Sequence, residues 1–289
     1  MLRKPLFAAA GLAFLALPHA LRAVVNLEIS GAQTEIFGTS TEVTGSGSPD
    51  NFDANTSTGD FAVFDIVQPD DNGPDQDFAD LAVTYAADNG SAGADIMIAR
   101  TVDSQGLVDE KTISILTSIG DAAGGTVDLT FEWFEPGSFD TLADGQKPSN
   151  SKLLQTPVNY TTLDIDFEQL VRVQRSDLQS YTLDNPTDLD AVDDGSTVTF
   201  QDSGAESNFN DPVTAAQFLT SDAIAASHTI EVGKQSESGN ALFMFEFRDP
   251  TQVVNFNDPQ TTPVPEPASF AFVLGAAALL HRVLTRRGR

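Results

Sequence analysis

The sequence predicts an all-β protein, a β-sandwich or jelly-roll-like ectodomain with one short helix, and three observations carry that expectation. Apolar side chains alternate with polar ones at period two in several short segments, the spacing of a strand with one buried face. Turn-forming pairs such as Gly124-Gly125, Asp144-Gly145 and Asp194-Gly195 separate those segments, supplying residues that tolerate positive φ. The chain has no cysteine but 20 phenylalanines, so its stability has to come from a hydrophobic core and not from disulfides.

In chain order, the Gly/Ser/Thr-rich stretch 38–60 reads as a surface loop, and strands are predicted at residues 61–67, 94–100 and 112–117. Residues 126–134 are the clearest strand: Val127, Leu129, Phe131 and Trp133 alternate with Asp128, Thr130 and Glu132, which sends the only tryptophan into the core. Residues 161–168 repeat the pattern, with Leu163, Ile165 and Phe167 inward and Thr162, Asp164, Asp166 and Glu168 outward. Further strands are predicted at 170–175, 197–201, 229–232 and 241–247. The last is apolar on both faces, Ala241, Phe243, Phe245 and Phe247 against Leu242 and Met244, as in a central strand covered on both sides. The single helix is predicted from Asp211-Pro212, an N-cap followed by proline at the first helical position, through Val213, Ala216, Phe218 and Leu219 to about Ser221.

The ends read as transport signals. Arg3 and Lys4 precede an apolar run from Leu6 to Leu17, and Pro18 breaks it before Ala20 and Ala23, the layout of a secretory signal peptide cut after residue 23 or after residue 20. That run is too short to span a hydrocarbon core of roughly 30 Å. At the other end Pro265-Glu266-Pro267 precedes an apolar run from Phe270 to Leu280, followed by Arg282, Arg286, Arg287 and Arg289. Pro267 to Leu284 would form about 27 Å of helix, just enough to span, with the arginines held on the cytoplasmic side. The expected organisation is a signal peptide over 1–23, the ectodomain over 24–256, a stalk over 257–264 and a sorting segment over 265–289.

This tail resembles the PEP-CTERM sorting signal of Gram-negative bacteria, with Pro265-Glu266-Pro267 in the place of the motif that names the family. The resemblance implies export through the Sec translocon, arrest in the inner membrane by a C-terminal transmembrane helix, and processing by an exosortase-type transpeptidase. It also implies a final location at the cell surface or in the extracellular matrix, in contact with exopolysaccharide. From Asp164 to Phe247 the body is loosely similar to β-rich modules of other secreted bacterial proteins.

Charge narrows the partners. Outside the two terminal segments, residues 24–264 carry 8 bases against 41 acids, a formal −33. Such a field repels nucleic acid and anionic lipid and attracts divalent cations.

Three constellations could carry chemistry. On the predicted strand 161–168, Asp164, Asp166 and Glu168 would stand about 6.7 Å apart, near the spacing of an inverting glycosidase pair; a solvated polar face is much the stronger reading of them, since catalysis would also need a cleft and one raised pKa. Two acidic loops could hold calcium, one with Asp70, Asp71, Asp75 and Asp77, the other with Asp188, Asp190, Asp193 and Asp194, but solvated loops are the stronger reading and no cofactor is firmly expected. Neither has EF-hand spacing. His228 is the only histidine between the terminal segments, which excludes a multi-histidine zinc site within one chain and makes His228 a strand-edge residue. The function expected is therefore that of a non-enzymatic surface or matrix protein. The alternatives are a glycan-active hydrolase and a calcium-dependent carbohydrate-binding module.

Overall fold

A computed structural model describes residues 27–30, 35–37, 58–70, 72–90, 95–100, 112–119, 124–143, 145–150, 157–202, 211–220, 227–236, 239–247 and 256–264. The signal peptide, the sorting motif Pro265-Glu266-Pro267 and the arginines at 282, 286, 287 and 289 lie outside them. Among the described residues no helix is long and apolar enough to cross a membrane.

The described residues form sixteen strands in two antiparallel sheets. The larger sheet contains β1 (Glu28–Ile29), β2 (Glu35–Phe37), β3 (Phe61–Gln68), β4 (Gln76–Asn89), β7 (Gly125–Phe134), β9 (Gln169–Gln174), β11 (Leu189–Asp193), β12 (Thr197–Asp202) and β14 (Ser227–Lys234). Its order is β1-β3-β4-β7-β14-β9-β12-β11, with β2 also on β3. The smaller sheet runs β16 (Gln260–Pro263), β10 (Leu178–Leu183), β13 (Ala216–Thr220), β8 (Asn159–Leu163), β15 (Gly239–Glu246), β6 (Ile113–Ile119) and β5 (Asp95–Arg100). The chain passes repeatedly between the sheets, as from β8 to β9 and from β14 to β15, so polar crossings gather at the ends of the sandwich.

The inner faces meet in one core. Val127, Leu129, Phe131 and Trp133 of β7 are all fully buried, as the alternation predicts, and pack with Val171, Val173, Phe200, Ile230 and Val232 of the same sheet. Tyr160, Phe218, Phe243 and Phe245 approach them from the opposite sheet. Strand β15 is central, between β6 and β8, and its second face buries Met244 against Leu163 and Ala215.

Strand β4 went unpredicted because it does not alternate. The loop after β7 folds over its outer face, where Phe139 and Leu142 pack with Phe61, Val63, Ala82 and Phe134. The buried Asp80 carboxylate holds that loop, accepting from the N–H groups of Gly137 (3.1 Å) and Ser138 (2.8 Å). Lys147, further along, pairs with Glu132 and donates to Thr84 Oγ1 at 2.6 Å.

Two predicted elements are corrected. Asp211 does cap a turn, its carboxylate accepting from Val213 N at 3.2 Å, but the turn is a single 3-10 turn, Pro212–Thr214. The rest of the predicted helix is β13, because Ala216, Phe218 and Thr220 alternate inward while the backbone pairs with β8 and β10. Pairing on both sides overrides the local helical spacing. Residues 257–264, expected as a stalk, belong to the fold: β16 pairs with β10, Val264 is buried, and the Asp184 carboxylate accepts from Asp258 N and Asn257 Nδ2 at 2.8 and 2.9 Å.

Candidate functional site

Strand β8 ends at Leu163, and the next five residues turn the chain from the smaller sheet into β9 of the larger. Asp164, Phe167 and Glu168 have φ of 62°, 47° and 61°. Aspartate visits this left-handed region readily, but phenylalanine and glutamate pay about 1–3 kcal/mol each for it. Hydrogen bonds hold the turn: Ile165 N to Thr214 O at 3.1 Å, Gln169 N to Asp166 O at 2.8 Å and Gln235 N to Glu168 O at 3.0 Å. Ser236 Oγ also donates to the Glu168 carboxylate.

This reverses the predicted facing of three residues. Asp164 and Asp166 are only 6% and 4% exposed, while Phe167 is 42% exposed. Ile165 keeps its inward place. Because the crossing breaks the strand, Asp164, Asp166 and Glu168 do not form an outward row with strand spacing, and the geometric basis for a glycosidase pair is lost.

Around the turn the end of the sandwich is polar. Gln169, 4% exposed, donates from Nε2 to Asp166 Oδ1 at 3.2 Å, and its Oε1 is buried without a hydrogen-bond partner. Lys234 pairs in register with Gln169, and Asp202 is buried at the end of β12, where its backbone oxygen accepts from Gln235 Nε2 at 3.4 Å. The Lys234 ammonium lies 3.9 Å from where a side chain at Gly239 would begin. Sequence periodicity contained part of this signal, since Gln169 is in phase with Val171 and Val173, and Lys234 with Ile230 and Val232.

Burial, reinforced by the charge of Asp166, raises the Asp164 carboxyl from 3.8 to about 7. The unfolded chain ionises first as pH rises, so Asp164 withdraws stability between pH 4 and 7, on the order of 3 kcal/mol at pH 6. With divalent ions chelated, Asp164→Asn is expected to flatten the stability profile across that window, asparagine being equally suited to the left-handed backbone. Urea unfolding at pH 4 and pH 7 measures this; profiles that stay parallel would refute it.

The acidic loops are used locally. The Asp70 carboxylate accepts from Asn72 N at 2.9 Å, and Asp75 accepts from Asp70 N at 3.2 Å. Asp77 lies exposed on β4, and Asp71 is outside the described residues. In the second segment, Asp190 and Asp193 belong to β11 and not to a loop, and Asp188 is exposed ahead of it. Asp193 accepts from Arg175 Nε at 3.0 Å. Asp194 caps its own turn, accepting from Thr197 N and Ser196 N at 2.8 Å each, and those bonds lower its pKa. Among the described residues no three acidic or histidine side chains converge, in these segments or elsewhere.

His228 is not at a strand edge. It points between the sheets, stacked on Phe131 at 5.4 Å and edge-on to Tyr160 at 4.9 Å, with neither ring nitrogen hydrogen-bonded. Burial drives its pKa down from 6.5 to about 3, and pushes the Tyr160 phenol well above its ordinary range. The alternation His228, Ile230, Val232 gave the inward direction.

No family model matches the chain, and no curated protein matches it. Among solved structures, the N-terminal domain of the Streptococcus gordonii adhesin Sgo0707 aligns over 78% of this chain and 63% of its own length, at 10% identity and a TM-score of 0.42. The chain thus spans less than two thirds of that adhesin domain. A carbohydrate-binding module of the β-sandwich superfamily aligns over 65% of this chain and 73% of its own, at 10% identity and a TM-score of 0.28. The KRT10-binding region of the pneumococcal serine-rich repeat protein PsrP aligns over 59% and 97%, at 12% identity and a TM-score of 0.18.

Proposed function

We propose that this chain is an exported surface or matrix protein. The Sec translocon carries it across the inner membrane, the C-terminal segment arrests it there, and an exosortase-type transpeptidase processes it near Pro265-Glu266-Pro267. Its acidic β-sandwich then serves as a non-enzymatic structural or adhesive module associated with exopolysaccharide. The observation that carries this reading is the position of β16. β16 and the buried Val264 complete the smaller sheet, and Pro265-Glu266-Pro267 begins at the next residue of the sequence, so cleavage at the motif would leave every described strand intact.

Mass spectrometry of the native protein tests the route. The mature chain is expected to begin at Val24 and to end close to residues 265–267, and deletion of 265–289 is expected to release the protein from the cell. A chain that retains Met1 and stays in the cytoplasm would overturn the proposal. The role of the body is tested by deleting the gene: altered surface or aggregation behaviour is expected. An unchanged surface combined with measurable glycan turnover would replace the module with a hydrolase.

A further inference from the structure

We propose that the crossing from β8 to β9 is a divalent-cation site of calcium type, with Asp164 and Asp166 supplying charge and Gln169 Oε1 a neutral oxygen. Two observations, independent of each other, meet there. The first is a pair of carboxylates taken out of water within three residues of one another, at 6% and 4% exposure. Their charges repel, and burial deprives them of the solvent that would screen the repulsion.

The second is the Gln169 amide. It is 4% exposed and anchored by its Nε2 to Asp166, yet its carbonyl oxygen receives no hydrogen bond. A buried acceptor left unmet loses its hydration with nothing in return. Proteins seldom keep such a group where an apolar side chain in phase with Val171 and Val173 would serve, unless something binds it.

One cation answers both. It neutralises the two carboxylates and coordinates the orphaned oxygen, whereas a water molecule could donate to Oε1 but would leave the repulsion in place. Calcium fits this donor set because it accepts carboxylate and amide oxygens in irregular arrangements, with water completing its six to eight ligands. Magnesium demands a near-ideal octahedron and gives up its own waters reluctantly. Lys234, the basic side chain in register with Gln169, directs its ammonium toward Gly239 at the start of β15. The site is distinct from both acidic segments that sequence spacing brings forward, where Asp70, Asp75 and Asp194 close their own turns and Asp193 pairs with Arg175. The inference does not depend on the export route.

Calorimetric titration of the mature protein with calcium alone, and with magnesium at matched ionic strength, tests the site. The expected result is one saturable calcium per chain and a melting temperature that rises to a plateau, with magnesium giving a smaller shift without saturation. Asp164→Asn and Gln169→Met are each expected to weaken calcium binding at least tenfold, while Asp194→Asn leaves it unchanged. Crystals grown with calcium give a reading independent of variant folding, through an anomalous peak beside Asp166. Equal shifts with the two ions, undiminished binding in both variants, or a peak elsewhere with none at the crossing would each overturn the proposal.

Discussion

Replacing Trp133 with alanine is expected to destabilise the protein by about 3–5 kcal/mol, the range for deleting a large buried aromatic. The side chain is completely buried on β7, with ring contacts to Phe78 (6.5 Å), Tyr160 (6.5 Å) and Phe247 (5.6 Å). Tyr160 belongs to the opposite sheet, so the cavity would open where the layers meet and neither sheet could collapse into it alone. Trp133→Phe is expected to cost far less, because the smaller ring keeps most of the contact area. Urea unfolding of the three proteins at pH 7.5 gives the comparison. Equal losses for alanine and phenylalanine would show that the packing at Trp133 has been misread.

The second large effect is acid lability through His228. The folded state holds this imidazole neutral down to about pH 3, because protonation would place a charge between two aromatic rings with no acceptor at either nitrogen. The unfolded chain binds that proton near pH 6.5. Stability is therefore complete above pH 6.5 and is lost as pH falls toward 3, by about 2 kcal/mol at pH 5 and approaching 5 kcal/mol below pH 3. Asp164 acts in the opposite sense over pH 4–7, so wild-type protein alone would mix the two. His228→Phe isolates the histidine. The stability difference between variant and wild type should shift by about 2 kcal/mol in favour of the variant between pH 7.5 and pH 5. A difference independent of pH would refute the assignment.

The sandwich was legible where a local pattern reported burial directly, and β10, β11 and β16 offered no such pattern. Residues 126–134 and 241–247 were found because alternation or continuous apolarity reported their burial directly. Strand β4 was missed because a loop contributed by residues 135–143 dries its outer face, and no local pattern announces a cover from fifty residues away. The helix predicted after Pro212 failed for a related reason: the cap was real, but partners on both sides decided what followed it. At the β8 to β9 crossing, periodicity was extrapolated through a change of sheet, where left-handed residues at Asp164, Phe167 and Glu168 replace the regular strand and Asp166 and Phe167 lose their predicted facing. The inward phase of His228, Gln169 and Lys234 could have been read from the sequence. That their surroundings would leave a ring nitrogen or an amide oxygen unmet could not, since that depends on residues distant in the chain.

The pairing of β7 with β14 also governs when the molecule can fold. Leu129 lies opposite Ile230 in the middle of the larger sheet, so closing that contact requires a loop of about one hundred residues and must wait until the later strand has been synthesised. Long loops close slowly and yield no stabilising contact until they do. The centre of the larger sheet therefore closes only after most of the described strands have been made.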